Sequence, residues 1–373
     1  QFVIANRPAI TSAVTFRPAA AAAGAVLISS DLDVEASHVH VLGVKSIGTG
    51  DPAGGPDNSR VSLDICDNTC ASPLTDVYVE NFSGKSAFVR SSGVTIKGGE
   101  FGNYDPCADD PTQSPTAASH QNPEDIFRIW GTGEVKNAQG VVVVPAITPN
   151  NVVIDGVKVH DDDDHHTTQA CPGATNGSLG EHVDCMQTMG GTNITIQNVV
   201  MWNCATSNIQ AKPFSGGTMS DWTLQNNFFG TVLHPGNSLV LGQGACTNLI
   251  FRYNTIGGPQ PNGSSCTGGT TVTSYGNLFL QDFSASPLGV TQTYSVFTTG
   301  TTATVSATNR KCLVSVVAPN RTGLAGPDYH LTAGDTCARA AGNPLDFPAT
   351  DIDGQARPSA GGTAPDAGAD EIS

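Results

Sequence analysis

The chain has 373 residues, a formal net charge of −16 and only 13% charged residues, with 42 glycines and 23 prolines. This composition is typical of a turn-rich all-β protein. The negative charge argues against bulk attraction to nucleic acid or to an anionic membrane, and no apolar run approaches the length of about 18 residues that a membrane span needs. We therefore expect no nucleic-acid partner and no membrane association.

A short phrase recurs along the chain: an Asn, Asp or Gly, then an alternating apolar run, then a turn. It occurs as GVTIKGGEFG from Gly93, NVVIDGVKVHD from Asn151, NITIQNVVMWNC from Asn193, DWTLQNNFFG from Asp221 and NLIFRYNTIGG from Asn248. From 151 onward the starts are 42, 28 and 27 residues apart, a period typical of a solenoid with one coil per repeat. We predict one domain over 1–373, with core coils over about 25–280 and irregular strands with a capping segment over about 281–373.

Each coil carries a second apolar segment after the phrase. Because stacked coils place equivalent residues above one another, these segments predict columns on one parallel sheet. The residues predicted to point inward are Val89, Ile129, Cys185, Ala211 and Leu241. The outward columns are then Arg90, Arg128, Asp184, Gln210 and Val240; Phe88, Ile126, His182, Asn208 and Ser238; and Ser92, Trp130, Met186, Lys212 and Gly242.

The cysteines indicate an oxidising compartment, because there are ten of them and several lie in turn-rich stretches. We therefore predict a secreted, extracellular protein. The spacing favours local pairs at Cys66–Cys70, Cys246–Cys266 and Cys312–Cys337, although sequence alone does not fix connectivity. Cys185, at a predicted inward strand position, is interpreted as a free thiol that acts as a small hydrophobe.

Asparagines also recur at the half-turns of the coils, at Asn198, Asn226, Asn227 and Asn254. Stacked Asn side chains satisfy backbone groups at solenoid turns, so we assign them a structural role. Trp202 and Trp222 are assigned to packing.

The coils SSGVTIKGGEFG and NVVIDGVKVHD, the HVDCMQ segment and the tail that begins PDYHLTAGDTC carry a family resemblance. The chain resembles the right-handed parallel β-helix proteins of the pectate-lyase-like superfamily, and within it the secreted β-helix repeat proteins of actinobacteria. The resemblance implies a single-stranded right-handed parallel β-helix whose tail closes the fold, with a groove along one sheet that binds a polysaccharide. The superfamily contains lyases, hydrolases, epimerases and non-catalytic spikes, so the reaction stays open.

The stretch HDDDDHH, from His160 to His166, interrupts the repeat. It joins a coil to the segment EHVDCMQ, so we expect it at the edge of the outward sheet. Its carboxylates at Asp162, Asp163 and Asp164 are candidate ligands for Ca²⁺, the only cofactor that the sequence suggests. The alternative is a solvated acidic loop without assigned chemistry.

Cleavage of a uronate polymer by β-elimination needs a group that neutralises the sugar carboxylate, a base for the C5 proton and an acid for the leaving oxygen. The candidate catalytic residues are His182, Asp184, Arg128 and Lys212, and the candidate substrate-binding residues are Arg90, Trp130, Gln210 and Asn208. Three alternatives stay open: a surface ladder of ion pairs without chemistry, a glycoside hydrolase that uses Asp184 with Asp163 or Asp164, and a non-catalytic carbohydrate-binding spike or assembly subunit.

Overall fold

The computed structural model describes residues 2–5, 12–18, 26–29, 31–47, 61–66, 72–104, 125–131, 135–136, 142–144, 147–162, 184–211, 213, 218–233, 238–242, 244–262, 266–267, 272–302, 304–320, 326–358 and 363–372. Across these ranges the chain visits three long sheets in turn, so that each full coil adds one strand to each sheet. Neighbouring strands in all three sheets run parallel. The predicted parallel β-helix is therefore confirmed.

The strands of each sheet follow one another in chain order. The first sheet contains Phe2–Ala5, Leu32–Glu35, Leu63–Ile65, Ala87–Val89, Phe127–Ile129, Asp184–Thr188, Ser207–Ala211 and Leu239–Leu241. The second contains Val14–Phe16, Val39–Leu42, Val77–Glu80, Val94–Lys97, Asn150–Asp155, Gly191–Gln197, Thr218–Gln225, Gly244–Arg252, Val272–Tyr275 and Gln292–Thr293, with Cys266–Thr267 beside Gly244–Arg252. The third contains Val26–Ile28, Val44–Ser46, Ser83–Gly84, Glu100–Tyr104, Lys158–Asp162, Val200–Trp202, Phe228–Phe229, Thr255–Ile256, Leu278–Phe279, Val296–Phe297 and Arg310–Lys311.

Among the residues that the structure describes, two antiparallel pairs lie outside these sheets. They are Val135–Lys136 with Val142–Val144, and Val316–Ala318 with Asp328–Leu331. A short 3-10 turn covers Pro287–Gly289. Within the described ranges, no helix combines the length and the apolar character that a membrane crossing requires.

The core is a stack of apolar side chains inside the coils. In the second sheet one inward column is fully buried over six successive coils, at Val79, Ile96, Ile154, Ile196, Leu224 and Phe251. Burying one such side chain stabilises the fold by about 1.5–3 kcal/mol. The alternating apolar run of the repeated phrase supplies this column, which is why the run recurs once per coil.

The first residue of the repeated phrase has a left-handed backbone. Gly93, Asn151, Asn193, Asp221 and Asn248 have φ between +53° and +61°, each directly before the buried part of a second-sheet strand. Glycine adopts this conformation without steric cost, and Asn and Asp tolerate it better than other residues. The position therefore turns each coil into the second sheet, and it explains why the phrase opens on these residue types.

A second turn carries the predicted Asn ladder. The Asn227 side-chain oxygen accepts the Val199 N–H at 2.9 Å, and the Asn277 oxygen accepts the Asn254 N–H at 2.9 Å. Asn227 and Asn254 therefore stack as predicted. Asn198 and Asn226 do not join the ladder: they take the left-handed position one residue earlier, with φ of 56° and 55°.

The C-terminal segment, defined here as described residues 326–358 and 363–372, folds back against the third sheet. Tyr329 packs edge-on to Phe228 with ring centroids 5.7 Å apart, and the Ala369 N–H donates to Thr255 Oγ1 at 3.0 Å. A second cluster joins Leu278 of the sheet to apolar residues of the segment. The C-terminal segment thus covers the outer side of later strands of the third sheet, around Phe228, Thr255 and Leu278.

Two disulfides join described cysteines, and one of them corrects an expectation. Cys312 pairs with Cys337 as predicted, but Cys185 pairs with Cys204 and is not a free thiol. The register places Thr188, not Cys185, in the inward column. Cys185 lies three residues earlier in the strand, where its Cα is 5.3 Å from that of Cys204. Cys66 and Cys246 are also disulfide-bonded, and the side chains of their predicted partners lie outside the described residues.

Candidate functional site

The strand register defines the outward column of the first sheet. Phe88, Arg128, Gln187, Gln210 and Val240 lie at the same level on five successive coils. This confirms Arg128, Gln210 and Val240 as one column, but Arg90 and Asp184 do not belong to it. Asp184 was misplaced because HVDCMQTM has apolar residues on both faces, so strict alternation does not select the inward one. Arg90 was misplaced because it follows the inward Val89, whereas Arg128 precedes the inward Ile129.

Asp184 lies at the start of its strand, three residues before the level of Arg128. Its side chain is fully buried, and it pairs in register with Ser207. The Asp184 backbone N–H donates to Asp125 Oδ1 at 2.8 Å. Asp184 is therefore buried at the end of the first sheet where its strands begin, and it does not lie beside Arg128.

Two guanidinium groups meet over one aromatic ring on the outer face of the first sheet. Arg90 Cζ lies 3.6 Å and Arg128 Cζ 4.1 Å from the Phe88 ring centroid. Trp130 packs edge-on to Phe88 with centroids 5.3 Å apart, and the Arg90 guanidinium pairs with Asp64 at 2.8 Å. We call Asp64, Phe88, Arg90, Arg128 and Trp130 the Phe88 cluster, in which the ring stabilises both cations through its π face.

The Phe88 cluster reaches solvent at one member. Arg90, Arg128 and Phe88 are 2%, 3% and 5% exposed, whereas Trp130 is only partly buried. Trp130 and Arg90 each follow one of the paired residues Ile129 and Val89, so they are level on neighbouring coils. The Trp130 backbone N–H donates to the Val89 carbonyl at 3.0 Å. The cluster therefore presents an indole at the surface with guanidinium groups directly behind it.

The next coils continue the column with amides. Gln187 Nε2 donates to Gln210 Oε1 at 3.0 Å, and both side chains are nearly buried. Asn208 is fully buried to one side, where its amide donates to the Gly230 carbonyl at 2.8 Å. The structure thus brings Arg90, Arg128 and Trp130 together, with Gln210 two coils further along and Asn208 in a packing position.

The start of the HDDDDHH stretch is tied into the third sheet. His160 is fully buried and stacks on Trp202 at 4.1 Å between centroids. Its Nδ1 lies 2.9 Å from Asp161 Oδ2 and its Nε2 lies 3.2 Å from Glu100 Oε1. Asn203 Nδ2 also donates to Asp161 Oδ1 at 2.8 Å. His160 and Asp161 therefore hold adjacent coils together, and the packing role expected for Trp202 is confirmed.

Several candidate residues lie outside the described residues. These are His182, Lys212, Asp163 and Asp164, together with the side chain of Asp162. Their expected convergence stays a prediction. Sequence reasoning also missed Asp64 and Gln187: no aligned phrase covered Asp64, and the misplaced register assigned the Gln187 position to Asp184.

Three parallel sheets wound by one chain define a parallel β-helix protein. The structure of a mutant of a PL6 family alginate lyase matches with a TM-score of 0.27 and 11% identity. The match covers 86% of this chain and 51% of that one, so the chain spans about half of its length. No family model and no curated protein matches the sequence.

Proposed function

We propose that the protein binds an acidic polysaccharide at the Phe88 cluster and cleaves it as a lyase. One observation carries this proposal: Arg128 and Arg90 converge behind the partly exposed indole of Trp130, in a chain with only 17 basic residues and a net charge of −16. An acidic chain needs such a local basic site to hold a polyanion.

The chemistry of the cluster suits a uronate sugar. Trp130 offers an apolar surface on which a sugar ring can stack, while Arg128 offers a planar fork that matches a carboxylate. Neutralising that carboxylate makes the adjacent C5 proton easier to remove, because charge that develops in the transition state is stabilised. Arg128 is thus the proposed electrostatic catalyst.

The proton transfers are assigned to residues of the neighbouring coils. In β-elimination a base takes the C5 proton, the C4–O bond breaks, a C4–C5 double bond forms and the leaving oxygen takes a proton from an acid. We assign these two roles to Lys212 and His182, with Asp184 orienting His182. Lys212 follows Ala211 in the chain as Trp130 follows Ile129, and the two strands share one register.

Further contacts along the column extend the proposed binding face. Gln210 would contact a sugar two coils beyond Arg128, and Asn208 would support the strand that carries Gln210. Arg90, paired with Asp64, would aid binding from behind Trp130 through its charge. Asp162, Asp163 and Asp164 stay candidate calcium ligands, with no catalytic step assigned to the ion. Secretion, which the disulfides support, would place the protein where such polymers occur.

The proposal is tested with a panel of polyuronates, including alginate and polygalacturonate, monitored at the ultraviolet absorbance of unsaturated products. We expect product with at least one polymer, and a fall of about 10²-fold or more in kcat/KM for Arg128→Ala, with partial recovery in Arg128→Lys. Lys97→Ala, which removes an exposed cation from the second sheet, is the matched control.

Three outcomes would replace the proposal. New reducing ends from a neutral glycan, without unsaturated product, would favour hydrolysis by Asp184 with Asp163 or Asp164. Saturable binding without any product would favour a non-catalytic carbohydrate-binding β-helix. Absence of both binding and product would favour a packing role for Arg90 and Arg128, which are 2% and 3% exposed.

A further inference from the structure

A histidine and two aspartates converge in the C-terminal segment, far from the Phe88 cluster in the chain. Ligand atoms of His330, Asp353 and Asp370 all lie within 4.8 Å of one another. His330 belongs to the strand Asp328–Leu331, whereas Asp353 comes from a later turn and Asp370 from an irregular stretch near the end of the described residues. The three side chains therefore meet only because the segment folds back on itself.

His330 is held in the orientation that a metal-binding imidazole needs. Its Nδ1 lies 2.6 Å from Asp328 Oδ1, which favours the proton on Nδ1. In the neutral ring, the form that binds a metal, Nε2 then carries the lone pair. The edge of the ring packs against Phe228 of the third sheet, with centroids 5.1 Å apart. A carboxylate behind the distal ring nitrogen is the usual outer partner of a metal-ligating histidine.

Nε2 faces the two remaining carboxylates. It is buried and makes no hydrogen bond, although Asp353 Oδ2 lies only 2.9 Å away. Asp370 is 5% exposed and accepts the Leu331 N–H on Oδ2 at 2.7 Å, so one of its oxygens is fixed by the backbone. The site is thus prepared by two outer hydrogen bonds, one to His330 and one to Asp370.

The charge of the site also favours a cation. Asp328, Asp353 and Asp370 surround a single imidazole. The buried guanidinium of Arg357 donates to the backbone carbonyls of Asp366 and Gly368 and not to these three carboxylates. One imidazole nitrogen with carboxylate oxygens is a ligand set for zinc and related transition metals, whereas calcium prefers oxygen ligands alone.

We propose that His330, Asp353 and Asp370 bind one zinc ion, with Asp328 orienting His330 and water in the fourth position. Zinc ligands lie about 2.0–2.2 Å from the ion, so the three donor atoms reach one ion with small side-chain adjustments. Asp353 is about half exposed and gives solvent access to the site. Bound zinc would clamp the C-terminal segment, and through Phe228 it would hold the segment against the third sheet.

The test uses the full chain after removal of metals with a chelator. A calorimetric titration with zinc chloride alone should show a stoichiometry of one zinc ion per chain. Thermal unfolding should shift upward with zinc concentration, because a ligand that binds only the folded state stabilises it. Cobalt should bind the same site and give the visible absorption of a low-coordinate nitrogen and oxygen site.

Asp353→Asn and His330→Gln should each weaken zinc binding by at least about tenfold. The matched control is His40→Gln, which alters another partly exposed His–Asp pair, on the second sheet. Because Asp353 is half exposed, Asp353→Asn should fold, which unchanged circular dichroism checks.

Unchanged zinc affinity in Asp353→Asn, or no saturable zinc binding by the native chain, would overturn the proposal. Calcium binding that Asp353→Asn weakens more than it weakens zinc binding would also overturn it, because the site would then prefer calcium. A structural role for His330 as an imidazolium shared by Asp328 and Asp353 predicts no response to zinc. None of these results depends on polysaccharide cleavage.

Discussion

The side-chain oxygen of Asn254 accepts two hydrogen bonds from Asn227, one from its backbone N–H at 3.1 Å and one from its side-chain amide at 2.9 Å. Both residues are fully buried. The Asn254 amide in turn donates to the Leu224 carbonyl at 3.0 Å. A single side chain thus satisfies three buried polar groups of the preceding coil.

Asn254→Ala should therefore destabilise the fold. The change leaves the Asn227 N–H and the Leu224 carbonyl buried with a lost partner, which typically costs about 1–3 kcal/mol per unsatisfied group. Urea unfolding followed by circular dichroism measures the loss. Thr273→Ala on the exposed side of a neighbouring strand should stay within about 0.5 kcal/mol of the native chain; equal losses in both variants would refute the role of the ladder.

Gly257→Ala should displace the C-terminal segment from the third sheet. A Cβ at this position would lie 2.2 Å from Cζ and Oη of the buried Tyr329, so the ring would have to move. Overpacking of this kind costs about 1–3 kcal/mol. We expect faster limited proteolysis within the C-terminal segment, whereas Gly334→Ala, where a Cβ would meet nothing within 4 Å, should be cleaved as slowly as the native chain.

Arg90→Ala should be among the most damaging changes on the first sheet. The Arg90 and Asp64 side chains are 2% and 9% exposed and pair at 2.8 Å, so truncating Arg90 leaves a buried carboxylate without its main cation. Breaking such a pair costs about 3–5 kcal/mol. Denaturant unfolding of Arg90→Ala beside Lys97→Ala measures this, and similar midpoints for the two variants would show that the pair contributes little.

Asp76 should titrate below its ordinary pKa of 3.8. Hydrogen bonds from His38 and then from His40 hold the pKa of its carboxyl down, at 2.9 Å and 3.1 Å, and Tyr78 packs edge-on to His40. Since the folded pKa is lowered, the stabilisation is present above pH 3.8 and is lost as the pH falls through the folded pKa. Carboxyl NMR titration checks this, and the double change His38→Ala with His40→Ala should raise the Asp76 midpoint.

The fold was predictable because the repeated phrase combines two independent signals. Its apolar alternation fills the core, and its first residue, such as Asn193 or Asp221, adopts the left-handed turn that only a few residue types accept. The register was less predictable. The insertion before Asp184 hides the start of that strand in the sequence. The prediction therefore missed that Gln187 lies in the column of Arg128, and it missed the Cys185–Cys204 disulfide.

The candidate site was predictable in part for the same reason. Aligning the coils placed Arg128 and Gln210 in one column, and it put Trp130 on the outward face. It assigned Trp130 to the column of Ser92, however, whereas the register brings Trp130 level with Arg90. Asp64, however, is level with Phe88 and pairs with Arg90 of the neighbouring coil because the long arginine side chain extends back to it. The repeat period does not predict such a side-chain contact. The convergence of His330 with Asp353 and Asp370 left no periodic signal, because it depends on how an irregular segment folds back.

The C-terminal segment changes how this stack of coils should come apart. In a simple solenoid each coil touches only its neighbours, so unfolding can begin at either end and proceed coil by coil. Here Gly326 packs against Trp202, while Ala369 binds Thr255 and Gly368 binds Gly276, so the segment links coils that do not otherwise touch. The later coils should therefore open as one cooperative unit, and amide hydrogen exchange should begin in the early coils and spread in one direction along the chain.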